Sequence, residues 1–318
     1  MTLLTVRVAA KVSEAQGISS FELRPTDGTL LPAFDAGAHI DVHLGIGLVR
    51  QYSLCNGPHE RHRYLIAVLR DPSSRGGSSA MHDAIEIGDV ITISAPKNLF
   101  PLVPAGRSVL MAGGIGVTPM LAMAEALSGA GLDFEMHYSA RSPQRTAFRE
   151  RIARAPYCAR VHFHFDSGDA AQKLDVANVL GAPRLDRHLY VCGPRGYIDH
   201  VLGAANALGW PAAQVHCEYF GAVSLDQAGD VAFDVKLAAS GQVLTIPAGS
   251  TVVEVLAKNG IDIPVACEQG VCGTCLTRVL DGVPEHRDVY LTDQERAAND
   301  QFTPCCSRSK SAVLLLDL

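Results

Sequence analysis

This chain has no excess of positive charge. Its 27 lysines and arginines stand against 33 aspartates and glutamates, a net charge of −6, and nothing in that balance suits a nucleic-acid binder. No apolar run approaches the ~20 residues that a membrane-spanning helix needs, so no membrane association is expected. The opening stretch, MTLLTVRVAAKVSEA, alternates and carries Arg7, Lys11 and Glu14. It lacks the apolar core and cleavage site of a secretory signal, so a soluble, cytoplasmic protein is expected. There is no internal repeat and no low-complexity tract. The dinucleotide fingerprint G-x-G-x-x-G is missing, and so is the doubled C-x2-C common in zinc sites.

What is present is an ordinary globular composition, 47% apolar and 19% charged, over 318 residues, enough for two or three domains. The negative charge is uneven. From Asp230 onward there are 12 acidic and 7 basic residues, while the remainder is nearly balanced. An acidic end module suits steering toward a basic partner surface; a merely solvated face is the plainer alternative. The nine cysteines are an odd number, and five of them (Cys267, Cys272, Cys275, Cys305, Cys306) crowd into the last 52 residues. A disulfide framework belongs to short secreted chains, so clustering here points to metal.

Residues 1–103 read as a small barrel. Short strands are expected at Leu4–Val12, Ser20–Arg24, His39–Leu44, Leu48–Asn56, Tyr64–Asp71 and Val90–Ser94, with one short helix at Ser78–Ile85. Over 104–222 the pattern changes to apolar strands at Val109–Ala112, Phe134–Tyr138, Val161–Phe165, Leu189–Cys192 and Val215–Tyr219. Helices are expected between them at Thr118–Ser128, Ala147–Ala155, Asp175–Leu180 and Tyr197–Leu208. Such alternation implies a parallel sheet with crossover helices. Residues 223–230 read as a linker. Residues 231–318 read as a compact α+β module, with a hairpin from Phe233–Leu237 and Gln242–Ile246 and a helix at Thr251–Asn259.

The strongest motif is C-x4-C-x2-C, formed by Cys267, Cys272 and Cys275, with Cys305 thirty residues later. This is the plant-type spacing for a [2Fe–2S] cluster. Two bridged irons need four soft anionic ligands: three from one tight loop and one from a distant segment. Gly270 and Gly273 allow the loop to turn sharply and aim N–H groups at the sulfurs. Zinc or coincidental thiols are the alternative reading, and on spacing alone Cys306 competes with Cys305.

Two further segments carry residues whose chemistry suits an anion. Arg50, Tyr52 and Ser53 share a barrel strand, supplying a phosphate partner, a ring surface and a hydrogen-bonding hydroxyl. Arg75, Gly76, Gly77 and Ser78 open the short helix, with Ser78 as its expected N-cap, a second phosphate cradle. A half-buried strand with a surface arginine is the plainer reading. Gly113, Gly114 and Gly116 follow the first strand of the parallel sheet, with Thr118 as the expected N-cap and Pro119 as N1. Cys192, Gly193 and Pro194 end a later strand, where ligands of open α/β sheets sit. A turn without ligand, and a buried structural thiol, are the alternatives. Asp166 would accept from ribose hydroxyls and repel a 2′-phosphate, whereas Arg141 would do the opposite; NADH is preferred.

Taken in order, RQYSLCN (50–56), RDPSSRGGS (70–78), AGGIGVTP (112–119), YVCGPRGYI (190–198), CEQGVCGTCLTRVLDG (267–282), YLTDQERAAND (290–300) and PCCSRSKS (304–311) resemble the phthalate dioxygenase reductase family of oxygenase reductases over essentially the whole chain. The resemblance implies an antiparallel β-barrel for FMN, an α/β domain for NADH and a C-terminal β-grasp ferredoxin. It implies FMN as the flavin and favours Cys305 as fourth ligand, although Cys305-Cys306 replaces the commoner Cys-Val. It implies that Phe220 lies near the flavin ring. The candidate FMN residues are then Arg50, Tyr52, Ser53, Leu54, Ala67, Val68, Leu69, Arg75, Gly76, Gly77, Ser78, Thr118 and Phe220. The candidate NAD residues are Gly113, Gly114, Gly116, Thr118, Pro119, Ser139, Arg141, Asp166, Cys192, Gly193 and Pro194. Ser53 and Cys192 are expected to position the reacting rings without acting as acid or base. The implied activity is hydride transfer from NADH to FMN, then single electrons through [2Fe–2S] to a Rieske-type oxygenase. A stand-alone flavin or ferric reductase or oxidase with a non-relay cluster is the rival.

Overall fold

The computed structural model describes residues 2–45, 47–72, 74, 76–220 and 229–318. The chain divides into two compact units, residues 1–220 and 221–318.

The first unit holds two sheets. Strands β1 (Leu3–Ala15), β2 (Ile18–Pro25), β3 (His39–His43), β4 (Val49–Ser53), β5 (Tyr64–Leu69) and β6 (Val90–Ser94), with helix α1 (Gly77–Asp83) before β6, form an antiparallel sheet in the order β4-β3-β6-β1-β2-β5. Side chains alternate along β1, where Val6 and Val8 are buried and Thr5 and Arg7 exposed. The two edges meet: Leu54 bridges Ile66, and the Cys55 N–H donates to the Leu65 carbonyl at 2.9 Å. That closure makes the sheet the barrel expected from its short, evenly spaced strands.

The second sheet is wholly parallel. It comprises β7 (Arg107–Gly113), β8 (Asp133–Ala140), β9 (Val161–Phe165), β10 (Arg187–Gly193) and β11 (Val215–Tyr219) in the order β11-β10-β7-β8-β9. Helices α2 (Val117–Gly129), α3 (Arg149–Arg154), α4 (Val176–Leu180) and α5 (Arg195–Ala207) connect them. The chain builds outward from β7 to β9, then restarts on the other side with β10. The switch point therefore lies between β7 and β10.

Helix α2 is buried without interruption from Val117 to Ala124. A helix apolar all round must be covered all round, and this one is. Met120, Leu121 and Met123 share one core with Ile18, Ala36, Ala67 and Phe100 of the barrel region and with Tyr138 and Tyr190 of the parallel sheet. Helix α5 buries only one stripe, Ile198, Val201 and Ala205, against Val109, Leu189 and Val191.

Both expected N-caps are displaced. Gly76, at φ +88°, precedes α1, and Ser78 lies inside the helix, its hydroxyl accepting from the Asp71 N–H at 3.1 Å. Before α2 a 3-10 turn at Gly114–Gly116 starts the coil early. Thr118 is thus in the first turn, donating to the Ile115 carbonyl at 3.1 Å, and Pro119 stands beyond N1. Glycine backbone conformations, not hydroxyl caps, start both helices.

The second unit contains β12 (Phe233–Leu237), β13 (Val243–Ile246), α6 (Val252–Lys258), β14 (Thr277–Asp281), β15 (Pro284–Glu285), α7 (Asp293–Ala298), β16 (Gln301–Phe302), β17 (Arg308–Ser309) and β18 (Val313–Leu316). The main sheet runs β13-β12-β18-β14-β16, with β12 and β13 antiparallel and β12 and β18 parallel, the mixed pattern of a β-grasp. Val252 and Leu256 of α6 pack on Val235, Ile246 and Leu314. Thr251 and Glu254 cap α6 reciprocally, and Thr292 and Glu295 do the same for α7. The expected linker 223–230 lies outside the described residues except for Gly229 and Asp230. Asp230 belongs to the body of this unit, pairing with Arg287 at 2.8 Å and Arg308 at 3.4 Å. Among the described residues no helix is long and apolar enough to cross a membrane.

Candidate functional site

In the second unit Cys267, Cys275 and Cys305 are buried and Cys272 is half-buried. Their thiols meet in pairs, Cys267 with Cys272 and Cys275 with Cys305. The Gln269 N–H points at Cys267 Sγ (3.3 Å) and the Thr274 N–H at Cys272 Sγ (3.5 Å). Gly270 and Gly273 make the turns at φ +70° and +67°. A Cβ on Gly270 would strike Cys306 Sγ, and one on Gly273 the Tyr290 ring, so neither can be anything but glycine without displacement. The Cys272 thiol is lowered to about 5 by the hydrogen bond from Cys267, while that bond and burial push Cys267 up. Cys275 is lowered, and Cys305 raised, by the bond they share. Four thiolates cannot coexist here unless positive charge sits among them. Soft donors in a loop of inward N–H groups fit an iron–sulfur cage. Cys306 hydrogen-bonds to Cys305 and also lies 3.2 Å from Thr303 Oγ1; of the doublet, it is Cys305 that hydrogen-bonds to Cys275.

In the first unit Arg50, Tyr52 and Ser53 lie on β4, and Leu54 directly follows. The Arg50 side chain runs along Gly77, where a Cβ would come within 2.9 Å of Nε. Arg50, Gly76 and Gly77 are therefore brought together; Arg75 lies outside the described residues. Tyr52 is half-buried, its phenol pushed up by burial. Of the β5 candidates, Ala67 and Val68 are core and Leu69 is 41% exposed. Strand β5 lies against the Gly114–Gly116 turn.

That turn and Cys192–Pro194 occupy the carboxyl ends of β7 and β10, at the switch point. The glycines divide their work. A Cβ on Gly116 would strike the Cys192 carbonyl, and one on Gly113 would come 2.7 Å from the Tyr197 ring. A Cβ on Gly193 would come just as close, 2.9 Å from the Gly113 Cα. Gly114, at φ +53°, faces open space. Ser139 Oγ and Tyr197 OH are buried facing each other and have no other hydrogen-bond partner. Buried hydroxyls with bonding capacity to spare beside an open glycine backbone fit a dinucleotide. Arg141 and Asp166 stand exposed at the ends of β8 and β9, where the Asp166 N–H donates to the Ala140 carbonyl at 3.2 Å and the Ser167 N–H to the Arg141 carbonyl at 3.1 Å. They lie along the sheet from the switch point, where the far end of a dinucleotide would extend.

Two residues enter that sequence reasoning missed. The Ser53 hydroxyl donates to Glu218 Oε2 at 3.5 Å, joining β4 of the barrel to β11. Burial pushes the Glu218 carboxyl up to about 8, against the bond from Ser53 that lowers it. Burial, and then Glu218, hold the Cys192 thiol well above its ordinary range, so it stays neutral. The other is Tyr197, on α5. Neither carries a local sequence signal; topology alone brings them to the site. Phe220, 38% exposed, is two residues beyond Glu218.

Residues 235–310 match the family described as the 2Fe-2S iron-sulfur cluster binding domain. The chain is 58% identical to the vanillate O-demethylase oxidoreductase of Pseudomonas putida, over 98% of each chain. It resembles a solved phthalate dioxygenase reductase, described as a modular structure for electron transfer from pyridine nucleotides to [2Fe-2S], with 40% identity and a TM-score of 0.80 over 99% of this chain and 98% of that one. It also resembles part of an intact type IV self-sufficient cytochrome P450 monooxygenase, with 39% identity and a TM-score of 0.82 over 99% of this chain and 41% of that one.

Proposed function

The chain belongs to the phthalate dioxygenase reductase family of oxygenase reductases, and from that premise we propose that it draws hydride from NADH through FMN and delivers electrons singly, through a [2Fe–2S] cluster, to an oxygenase. The partner we propose is a Rieske-type oxygenase acting on an aromatic acid, with vanillate O-demethylation as the specific reaction, carried out in the cytoplasm. The module boundaries we propose are 1–103 for the flavin, 104–222 for the nucleotide and 231–318 for the cluster, joined by 223–230.

The observation that carries this reading is the contact of Ser53 with Glu218 beside Cys192. It joins the end of β4, the strand we assign to the flavin, to β11, where Glu218 stands opposite Cys192 in the sheet we assign to the nucleotide. When bound, the flavin supplies the exchange between two-electron and one-electron chemistry, and the cluster supplies a one-electron relay. The protein's share is placement. Arg50 with Gly76 and Gly77 would hold the flavin phosphate, Tyr52 and Phe220 would flank its ring, and Ser53 would hydrogen-bond to it. Leu54, Ala67, Val68, Leu69 and Thr118 would complete the wall. Gly113, Gly114, Gly116, Pro119, Gly193 and Pro194 would shape the pyrophosphate turn, with Ser139 and Tyr197 offering hydroxyls. Asp166 would favour NADH by repelling a 2′-phosphate. Cys192, neutral and fully buried, would pack against the nicotinamide and do no covalent work. Cys267, Cys272, Cys275 and Cys305 would hold the irons.

Anaerobic titration of the purified protein with NADH tests this, followed by absorbance and EPR. The expected result is bleaching of the flavin together with the EPR signal of a reduced [2Fe–2S] cluster. A cluster that stays oxidised while the flavin is fully reduced would make it structural and favour the stand-alone reductase.

A further inference from the structure

A second group of potential ligands lies in the first unit, at neither site described above. Strands β8 and β9 pair in parallel with His137 opposite His162 and Ser139 opposite His164. Alternate residues of a strand share a face, so Glu135 and His137 stand on one face beside His162 and His164. The rings stack, His137 on His162 at 4.9 Å and on His164 at 5.2 Å. Donor atoms of Glu135, His137 and His162 all lie within 4.8 Å of one another.

One side of the His137 ring is taken by a neighbour, with Nδ1 3.0 Å from His164 Nε2. The other ring nitrogen, Nε2, belongs to a residue only 6% exposed, makes no close hydrogen bond and faces Glu135 Oε2 at 3.7 Å. A buried ring nitrogen set against a carboxylate across that gap suits a cation between them, a proton or a metal ion. A ligand histidine that donates its other N–H to a neighbour is the usual arrangement at metal sites.

We propose that Glu135, His137 and His162 bind one divalent first-row metal ion of the zinc class. Two imidazoles and a carboxylate suit such an ion, and three protein donors leave a fourth position for solvent. His162 is exposed and supplies both the entrance and the movement that draws the donors to bonding distance. The neighbouring arginines permit it. Arg187 holds the other carboxylate oxygen, Oε1, at 2.7 Å and orients the group. Arg107, 3.2 Å from Oε2, already shares its guanidinium with Asp133 at 3.4 Å and can turn to it. The rival occupant is a proton on His137.

The test adds Zn2+ to the oxidised holoprotein and reads binding by calorimetry and by zinc content per chain after gel filtration. Cu2+ then serves as an EPR probe, since the oxidised cluster is silent. The expected result is one equivalent of zinc, bound at least ~10-fold more weakly in His162→Ala and in His137→Gln, and copper hyperfine structure from two nitrogens. His162→Ala alters an exposed side chain and keeps the experiment decisive if His137→Gln misfolds. A zinc isotherm unchanged by His162→Ala, no bound zinc at all, or copper without imidazole nitrogen would overturn the proposal.

Discussion

Glu218 is half-buried, yet its carboxyl is pushed up to about 8 because desolvation outweighs the single bond from Ser53. The sign of the linkage follows. Between the ordinary carboxyl value of 4.5 and about 8, the folded chain holds a proton that the unfolded chain releases. Stability from this group is therefore complete below the lower value and is lost as pH rises through the upper one. Glu218→Gln should leave the melting temperature nearly unchanged at pH 5 and raise it at pH 8, with flavin content matched. Equal shifts at both pH values would show that Glu218 does not titrate in this range. The cysteine doublet separates by the same kind of local reading. Cys305 shares a hydrogen bond with Cys275, whereas Cys306 hydrogen-bonds to Cys305 and Thr303 and stands where a Cβ on Gly270 would fall. Cys305→Ser should lose the cluster absorbance and the iron. Cys306→Ser should keep one [2Fe–2S] per chain by iron and sulfide assay.

At the scale of elements, the turn between β7 and α2 shows what the glycines do. Alanine at Gly116 would force its Cβ into the Cys192 backbone carbonyl, which cannot rotate away. The expected loss is about 3 kcal/mol, the upper end for overpacking, read as a lower urea midpoint. Alanine at Gly114 meets nothing, but must adopt φ +53°, which costs about 1 kcal/mol. Its larger effect should be a raised KM for NADH, because the methyl group projects into the space proposed for the pyrophosphate. The same turn marks the limit of what the sequence discloses. The strands of both sheets were legible because their apolar residues alternate or run together between turn residues. Thr118 and Ser78 look like N-caps in sequence. Each helix is in fact entered through glycine, which no side-chain preference reveals. Helix α7, short and without a buried residue, left no periodic trace, although its Thr292–Glu295 capping box did. Glu218 and Tyr197 were illegible for another reason. Ser53 and Glu218 are 165 residues apart, and only the closed barrel packed on α2 brings their strands together.

At the scale of the whole molecule, the division of charge follows the division of the chain. The acidic excess lies in the second unit, the one matching the 2Fe-2S family, and a relay that discharges to a partner gains from a field that steers encounter. The first unit contains every residue proposed for FMN and NADH, and among the described residues α2, the barrel and the parallel sheet supply it with extensive cores of its own. A chain ending at residue 220 should therefore fold and still pass electrons from NADH to ferricyanide, which accepts them from reduced flavin. It should lose most of its reduction of cytochrome c, by at least ~10-fold, because the one-electron outlet is gone. Added salt should slow cytochrome c reduction by the full chain, since a basic acceptor meets an acidic unit through a field that ions screen. It should leave ferricyanide reduction by the shortened chain far less affected. If the shortened chain reduced cytochrome c as fast as the full one, the second unit would not be the outlet, however well its four sulfurs hold a cluster.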